Sequence, residues 1–141
     1  GYRPPAYWHF IGQLSEKYNL DTHQIDIIAN GEIWGKTSAL NCIEEAKTTN
    51  LMVGRGALAL PNIANVIKLD EQAMSWPELI KLIQKYSQVE LLGDKSFYFS
   101  SRLKQWLRYL KLQYPQAEQL FQQIKTMKSK EDILKIVERL S

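Results

Sequence analysis

The chain has 141 residues, 45% of them hydrophobic and 23% charged, with a formal net charge of +3 from 18 Lys+Arg against 15 Asp+Glu. That is ordinary globular composition for one domain or two small ones, and it argues against global disorder. No apolar run approaches the roughly 20 residues of a membrane helix, no signal peptide opens the chain, and a lone cysteine, Cys42, excludes an internal disulfide and a multi-cysteine zinc site.

In chain order, Gly1-Tyr2-Arg3-Pro4-Pro5 carries no initiator Met and reads as a loop cut from a longer chain. Trp8, Ile11, Leu14 and Tyr18 recur at helical spacing and predict a helix over residues 6–18. Ile25-Asp26-Ile27-Ile28-Ala29, ending at Asn30-Gly31, predicts a strand and a turn. Ala39, Cys42, Ile43 and Ala46 stand at i, i+3, i+4 and i+7 of a second helix. Leu51-Met52-Val53 predicts a second strand, stopped by Gly54-Arg55-Gly56. Strand, helix, strand at this spacing is a βαβ unit with adjacent parallel strands. Two strands cannot close a sheet, and a (β/α)8 barrel takes around 250 residues, so barrel material here is only the last part of a barrel.

The rest reads as all-helical. Ser75-Trp76-Pro77-Glu78 is a capping-box start, followed by a stripe of Leu79, Ile83 and Tyr86, with Gly93 as the stop. A second helix is predicted over 97–113. Pro115 opens a third with stripe Ala117, Leu120, Phe121 and Ile124, and Ser129 caps a fourth with stripe Ile133, Ile136, Val137 and Leu140. Four amphipathic helices on short connections predict a four-helix bundle, with the division between the halves at 70/71.

Charge separates the halves. Residues 1–70 hold 6 Lys/Arg and 7 Asp/Glu, whereas residues 71–141 hold 12 and 8. Within 95–130, eight basic residues (Lys95, Arg102, Lys104, Arg108, Lys111, Lys125, Lys128, Lys130) meet one acid, Glu118. A solvated surface is the usual reading of a charge run. The scarcity of acids and the interleaved aromatics point instead to a polyanion-binding face. On the helix over 97–113, Phe99, Leu103, Trp106, Leu107 and Leu110 form the core stripe. Lys104, Arg108 and Lys111 share a second face, and Arg102 and Tyr109 a third with Tyr98 and Gln105. A basic row beside a Tyr/Arg row suits phosphate contact next to base or sugar contact.

In the first half, Asn30-Gly31-Glu32 and Gly54-Arg55-Gly56 follow consecutive strands, where parallel-sheet proteins place ligands. Glycine admits close approach of a phosphate, and Arg55 can give charge-assisted hydrogen bonds. Each motif alone is weak; the pair points to a phosphate-bearing ligand. His9 and His23 are too few and too far apart for a metal site. Cys42 lies on an apolar stripe as a small core residue, and no complete active site is present.

Ile28-Ala29-Asn30-Gly31-Glu32-Ile33-Trp34, then Met52-Val53-Gly54-Arg55-Gly56-Ala57-Leu58 with Pro61-Asn62, resemble the end of the flavin barrel in the tRNA-dihydrouridine synthases. Trp76-Pro77-Glu78, Gln84-Lys85-Tyr86, Gly93-Asp94 and Arg102-Leu103-Lys104-Gln105-Trp106-Leu107 resemble the bacterial synthase C subfamily, and Gly1-Tyr2-Arg3 the loop after the sixth barrel strand. The resemblance covers essentially the whole chain. It implies the C-terminal segment of an FMN-binding TIM barrel over 1–70 and a helical tRNA-recognition domain over 71–141. It implies reduction of the 5,6 double bond of a tRNA uridine, the sixteenth nucleotide in the D-loop, with NADPH reducing FMN and a cysteine as general acid. By matching motif, Asn30, Gly31, Glu32, Gly54 and Arg55 are expected to contact FMN, chiefly at its phosphate side. Arg102, Lys104, Tyr109 and Lys125 are expected to contact tRNA. No residue matches the family's catalytic cysteine, which lies earlier in the barrel together with the Lys and His that accompany the flavin, and Cys42 is not at that position. Arg108 adds a charge within the recognition helix. The expectation is a cytoplasmic enzyme without metal or membrane partner, of which this chain alone is inactive, binds FMN poorly and self-associates through exposed barrel edges. The other readings are a stand-alone RNA-binding helical module without activity, and an FMN barrel enzyme for a small molecule, which has no need of the basic half.

Overall fold

A computed structural model of the chain describes residues 4–18, 25–89 and 97–140. The helix stop at Gly93, His23, Lys95, Gly93-Asp94 and Gly1-Tyr2-Arg3 lie outside the described residues. The chain forms two compact units, Gly1–Ala73 and Met74–Ser141. The described residues are mostly helical, with two parallel strands.

In the first unit the order is α1 (Trp8–Tyr18), β1 (Ala29–Asn30), α2 (Lys36–Ala46), β2 (Leu51–Met52), α3 (Arg55–Ala59) and α4 (Ile63–Lys68). The strands pair parallel, Ala29 opposite Leu51 and Asn30 opposite Met52. The connection from β1 to β2 through α2 is tied at its return by Thr48, whose Oγ1 donates to the Ile27 carbonyl at 2.8 Å. Ala29, Ile33, Ala39, Cys42 and Ala46 make the core, with Trp8, Ile11, Leu51, Val53 and Ile67 packed against it. Small residues on α2 let α1 come close. A Cβ on Gly12 would meet the Glu45 carbonyl oxygen at 2.5 Å, so glycine is required at that crossing.

Both strands are shorter than the sequence predicts. Ile25 and Ile28, expected inside the first strand, are exposed and non-strand. The physical reason is that β-branched residues specify a strand only when a partner supplies the ladder and a second layer supplies burial. Here the partner begins at Leu51. The short helices α3 and α4 are additions to the elements predicted from sequence, where Gly54-Arg55-Gly56 reads only as the stop of the second strand.

In the second unit, α5 (Trp76–Ser87), α6 (Tyr98–Leu110), α7 (Pro115–Ile124) and α8 (Lys130–Glu138) each bury one stripe. Their buried apolar residues are Leu79, Ile80 and Ile83; Phe99, Leu103, Leu107 and Leu110; Ala117, Leu120 and Ile124; Ile133 and Val137. Helix α6 packs on α7 and α8, and α5 on α8. Tyr86 of α5 meets Phe99 and Trp106 of α6, each at 5.8 Å between ring centres. Trp106 is therefore half-buried in an aromatic cluster rather than fully enclosed.

The helix starts follow local chemistry. The Ser75 N–H donates to Glu78 Oε2 at 2.8 Å and the Ser75 hydroxyl to the same oxygen at 2.6 Å. These bonds hold the Glu78 carboxyl below its usual range. Ser129 Oγ accepts from the Asp132 N–H at 3.2 Å, capping α8.

Candidate functional site

The carboxyl ends of β1 and β2 open on one cavity of about 210 Å³. Its lining includes Asn30, Gly31, Glu32, Gly54 and Arg55, so the structure brings all five predicted residues together. After β1 the chain turns sharply, with positive φ at both Gly31 (95°) and Glu32 (52°). The left-handed conformation is free for glycine and costs a residue with a Cβ about 1 kcal/mol or more, so Glu32 is held there by its contacts. One tether is Trp8, whose Nε1 donates to the Asn30 and Gly31 carbonyls at 3.2 and 3.0 Å.

The Glu32 carboxylate has two donors. Arg55 Nη2 reaches Oε1 at 2.7 Å, and Trp34 Nε1 reaches Oε2 at 3.0 Å. The Arg55 guanidinium also lies over the Trp34 ring, 5.6 Å from its centre. Trp34 was part of the sequence motif but had no predicted role. Its signal is an aromatic with an N–H two residues after the acid. The glycines after β2 have different jobs. A Cβ on Gly56 would meet the Ile33 carbonyl oxygen at 1.9 Å, so Gly56 serves the packing of the two loops. A Cβ on Gly54 would meet nothing within 4 Å and would project into open space.

The basic face of the second unit is less uniform than its charge count. Arg102 stacks on Tyr98, 5.1 Å from the ring centre, and donates to Gln105 Oε1 at 3.1 Å; half-buried Tyr109 stands seven residues on. Lys104 is half-buried and gives its ammonium to the Met127 carbonyl at 2.5 Å, joining α6 to the turn before α8. Lys111 pairs with Glu118 at 3.0 Å, and Lys125 at the end of α7 donates to Gln122 at 2.9 Å. Lys130 lies 5.8 Å over the Phe99 ring. Arg108 and Lys128 are exposed. The row Lys104–Arg108–Lys111 is thus one tether, one exposed charge and one ion pair.

Cys42 is fully buried, and burial pushes its thiol up, with Glu45 adding to the shift. It is a neutral core residue. His9 is exposed and stacks with Phe10 at 4.2 Å. Among the described residues no group of three or more His, Cys, Asp or Glu could hold a metal ion, and no helix is long and apolar enough to cross a membrane.

A family profile described as dihydrouridine synthase (Dus) matches residues 1–140. A protein of Shewanella oneidensis named tRNA-dihydrouridine(16) synthase is 41% identical over 139 residues, which cover 99% of this chain and 42% of that protein. Proteins of the same name from Escherichia coli K12 and Vibrio cholerae are 39% and 42% identical, covering 94% and 90% of this chain and 41% and 38% of theirs. The chain spans about two fifths of the length of these curated relatives.

Proposed function

The chain belongs to the dihydrouridine synthase family, and from that premise we propose that it is the C-terminal part of a cytoplasmic, flavin-dependent synthase that reduces uridine in the tRNA D-loop, at position 16, to dihydrouridine. The observation that carries this reading is the match over residues 1–140, together with relatives of one name across nearly the whole chain. In this reading the first unit is the end of an FMN-binding (β/α)8 barrel. The second is a four-helix bundle that recognises tRNA. Bound FMN, reduced by NADPH, supplies the hydride to the uracil ring, and the catalytic cysteine lies outside this chain.

The strand-end cavity fits the phosphate end of that cofactor. At about 210 Å³ it is smaller than the roughly 300–1,000 Å³ of a site enclosing a whole ligand. The open space over Gly54 admits a phosphate close to the backbone, and the Arg55 guanidinium brings positive charge to the same cavity. Asn30, Gly31 and Glu32 line the same cavity. In the second unit, Arg102 and Tyr109 present a cationic and aromatic pair to nucleotides, and Lys125 offers charge to phosphate. Lys104 acts chiefly by setting the turn that carries Lys125 and Lys128, because its ammonium is engaged with Met127.

The test uses the full-length protein with a tRNA bearing uridine at the sixteenth position. Purified protein should carry FMN and, with NADPH, add two hydrogens to that nucleotide, read by mass spectrometry of the digested tRNA. Arg102→Ala should weaken tRNA binding while flavin content stays constant. Absence of flavin and of dihydrouridine would reject the reading. Salt-sensitive RNA binding without turnover would favour a non-catalytic RNA-binding module instead.

A further inference from the structure

We propose that Glu32 is a positioning residue for Arg55: with Trp34 it forms a fixed triangle that aims the guanidinium at the phosphate end of the flavin. The proposal rests on the flavoprotein reading above. Its basis is geometric. The three side chains touch pairwise: Arg55 to Glu32 at 2.7 Å, Trp34 to Glu32 at 3.0 Å, and the guanidinium 5.6 Å over the indole. One donor goes to each carboxylate oxygen, which fixes the plane of the carboxylate. The carboxylate in turn holds the guanidinium of a residue that lines the strand-end cavity, beside Gly54, where a Cβ would meet nothing within 4 Å. Glu32 also keeps a left-handed backbone, φ 52°, that a glycine would adopt freely, so the side chain has a role at this position.

A direct contact between Glu32 and the phosphate is the competing role, and the charges oppose it. A carboxylate beside a phosphate repels it, whereas a carboxylate paired with an arginine orients that arginine's charge toward the ligand. The two roles predict opposite signs when the charge is removed. With direct contact, neutralising Glu32 relieves repulsion and tightens FMN. With positioning, it frees Arg55 to rotate and weakens FMN, while riboflavin, which lacks the phosphate, is unaffected.

The experiment titrates FMN and riboflavin into deflavinated full-length protein, following flavin fluorescence. Glu32→Gln should weaken FMN about tenfold, the scale of one charge-assisted hydrogen bond, and leave riboflavin unchanged. In an Arg55→Ala background, Glu32→Gln should cause no further loss, because the two side chains act as one unit. Trp34→Phe, which keeps the ring and removes the N–H, should shift the FMN-to-riboflavin ratio in the same direction by less, and it serves as the second variant if Glu32→Gln folds poorly. An unchanged or increased ratio in both variants overturns the proposal and leaves the flavin assignment standing. Wild-type protein that takes up neither flavin overturns both.

Discussion

The two units differ in how completely each buries its own apolar residues. Among the described residues of Met74–Ser141, the large hydrophobics left exposed are Val89, Phe97 and Leu112. Among the described residues of Gly1–Ala73 ten are exposed, including Phe10, Leu14, Ile28 and Met52. Helices satisfy their backbones internally and need only one stripe covered, and each of the four described helices of Met74–Ser141 buries one. A two-stranded parallel sheet has an open edge on each side and little face to pack on. The α/β unit has the local chemistry of its strand-end site but leaves more of its own apolar side chains uncovered.

Separating the units gives the largest expected effect. Residues 74–141 alone should unfold cooperatively on heating, whereas residues 1–73 alone should show no cooperative transition by circular dichroism. A cooperative melt of 1–73 would break the contrast. Next in size are single changes at the tightest points. Leu107→Ala, at a fully buried position of α6, should cost about 2–5 kcal/mol in urea unfolding of the second unit. Gly56→Ala forces a Cβ onto the Ile33 carbonyl and should lower the thermal midpoint of the full-length protein, whereas Gly54→Ala, with open space around it, should leave that midpoint nearly unchanged. Equal losses at Gly54 and Gly56 would contradict the described loop packing. Ser129→Ala removes the α8 cap and should cost about 1 kcal/mol.

The smallest effect is that of pH on the second unit. Glu78 is lowered by its Ser75 bonds, Glu118 by Gln122 and then Lys111, and Glu131 by a backbone hydrogen bond and Ser129. A carboxyl lowered in the folded state contributes stability that is present above its unfolded value and lost as pH falls through the folded value. Thermal melts of 74–141 should therefore be flat near neutrality and decline only on acidification below the ordinary carboxylate range. A decline on raising the pH from neutrality would contradict these assignments.

The helical unit was the more legible in sequence. Ser75, Pro115 and Ser129 mark the starts of α5, α7 and α8, and the stripes Leu103–Leu107–Leu110 and Leu120–Ile124 are the buried ones. Start signals and 3.6-residue stripes are local, so they survive in a single chain read linearly. In the α/β unit the order from α1 to β2 and the parallel pairing were legible, but not the strand lengths, because a ladder ends where its partner ends, nor the short helices α3 and α4. The candidate site divides in the same way. Asn30-Gly31-Glu32 and Gly54-Arg55 were visible as loops after strands, and they do meet at one cavity. Trp34 as the second donor to Glu32, and Lys104 as a tether rather than a free charge, were not visible.

The sequence by itself determined the starts of α5, α7 and α8, the apolar stripes, the division of charge between the halves and the motifs that place the chain in its family. Each of these is carried by residue identity at short spacing. The tertiary structure decided which partners the polar residues take. Arg55 meets Glu32 across 23 positions, Lys104 meets Met127 across 23, and Trp8 meets Asn30 across 22. Periodicity reports the face on which a side chain stands, not what the folded chain brings opposite to it. A lysine that faces solvent and one that ties two helices together therefore look alike until the chain has closed.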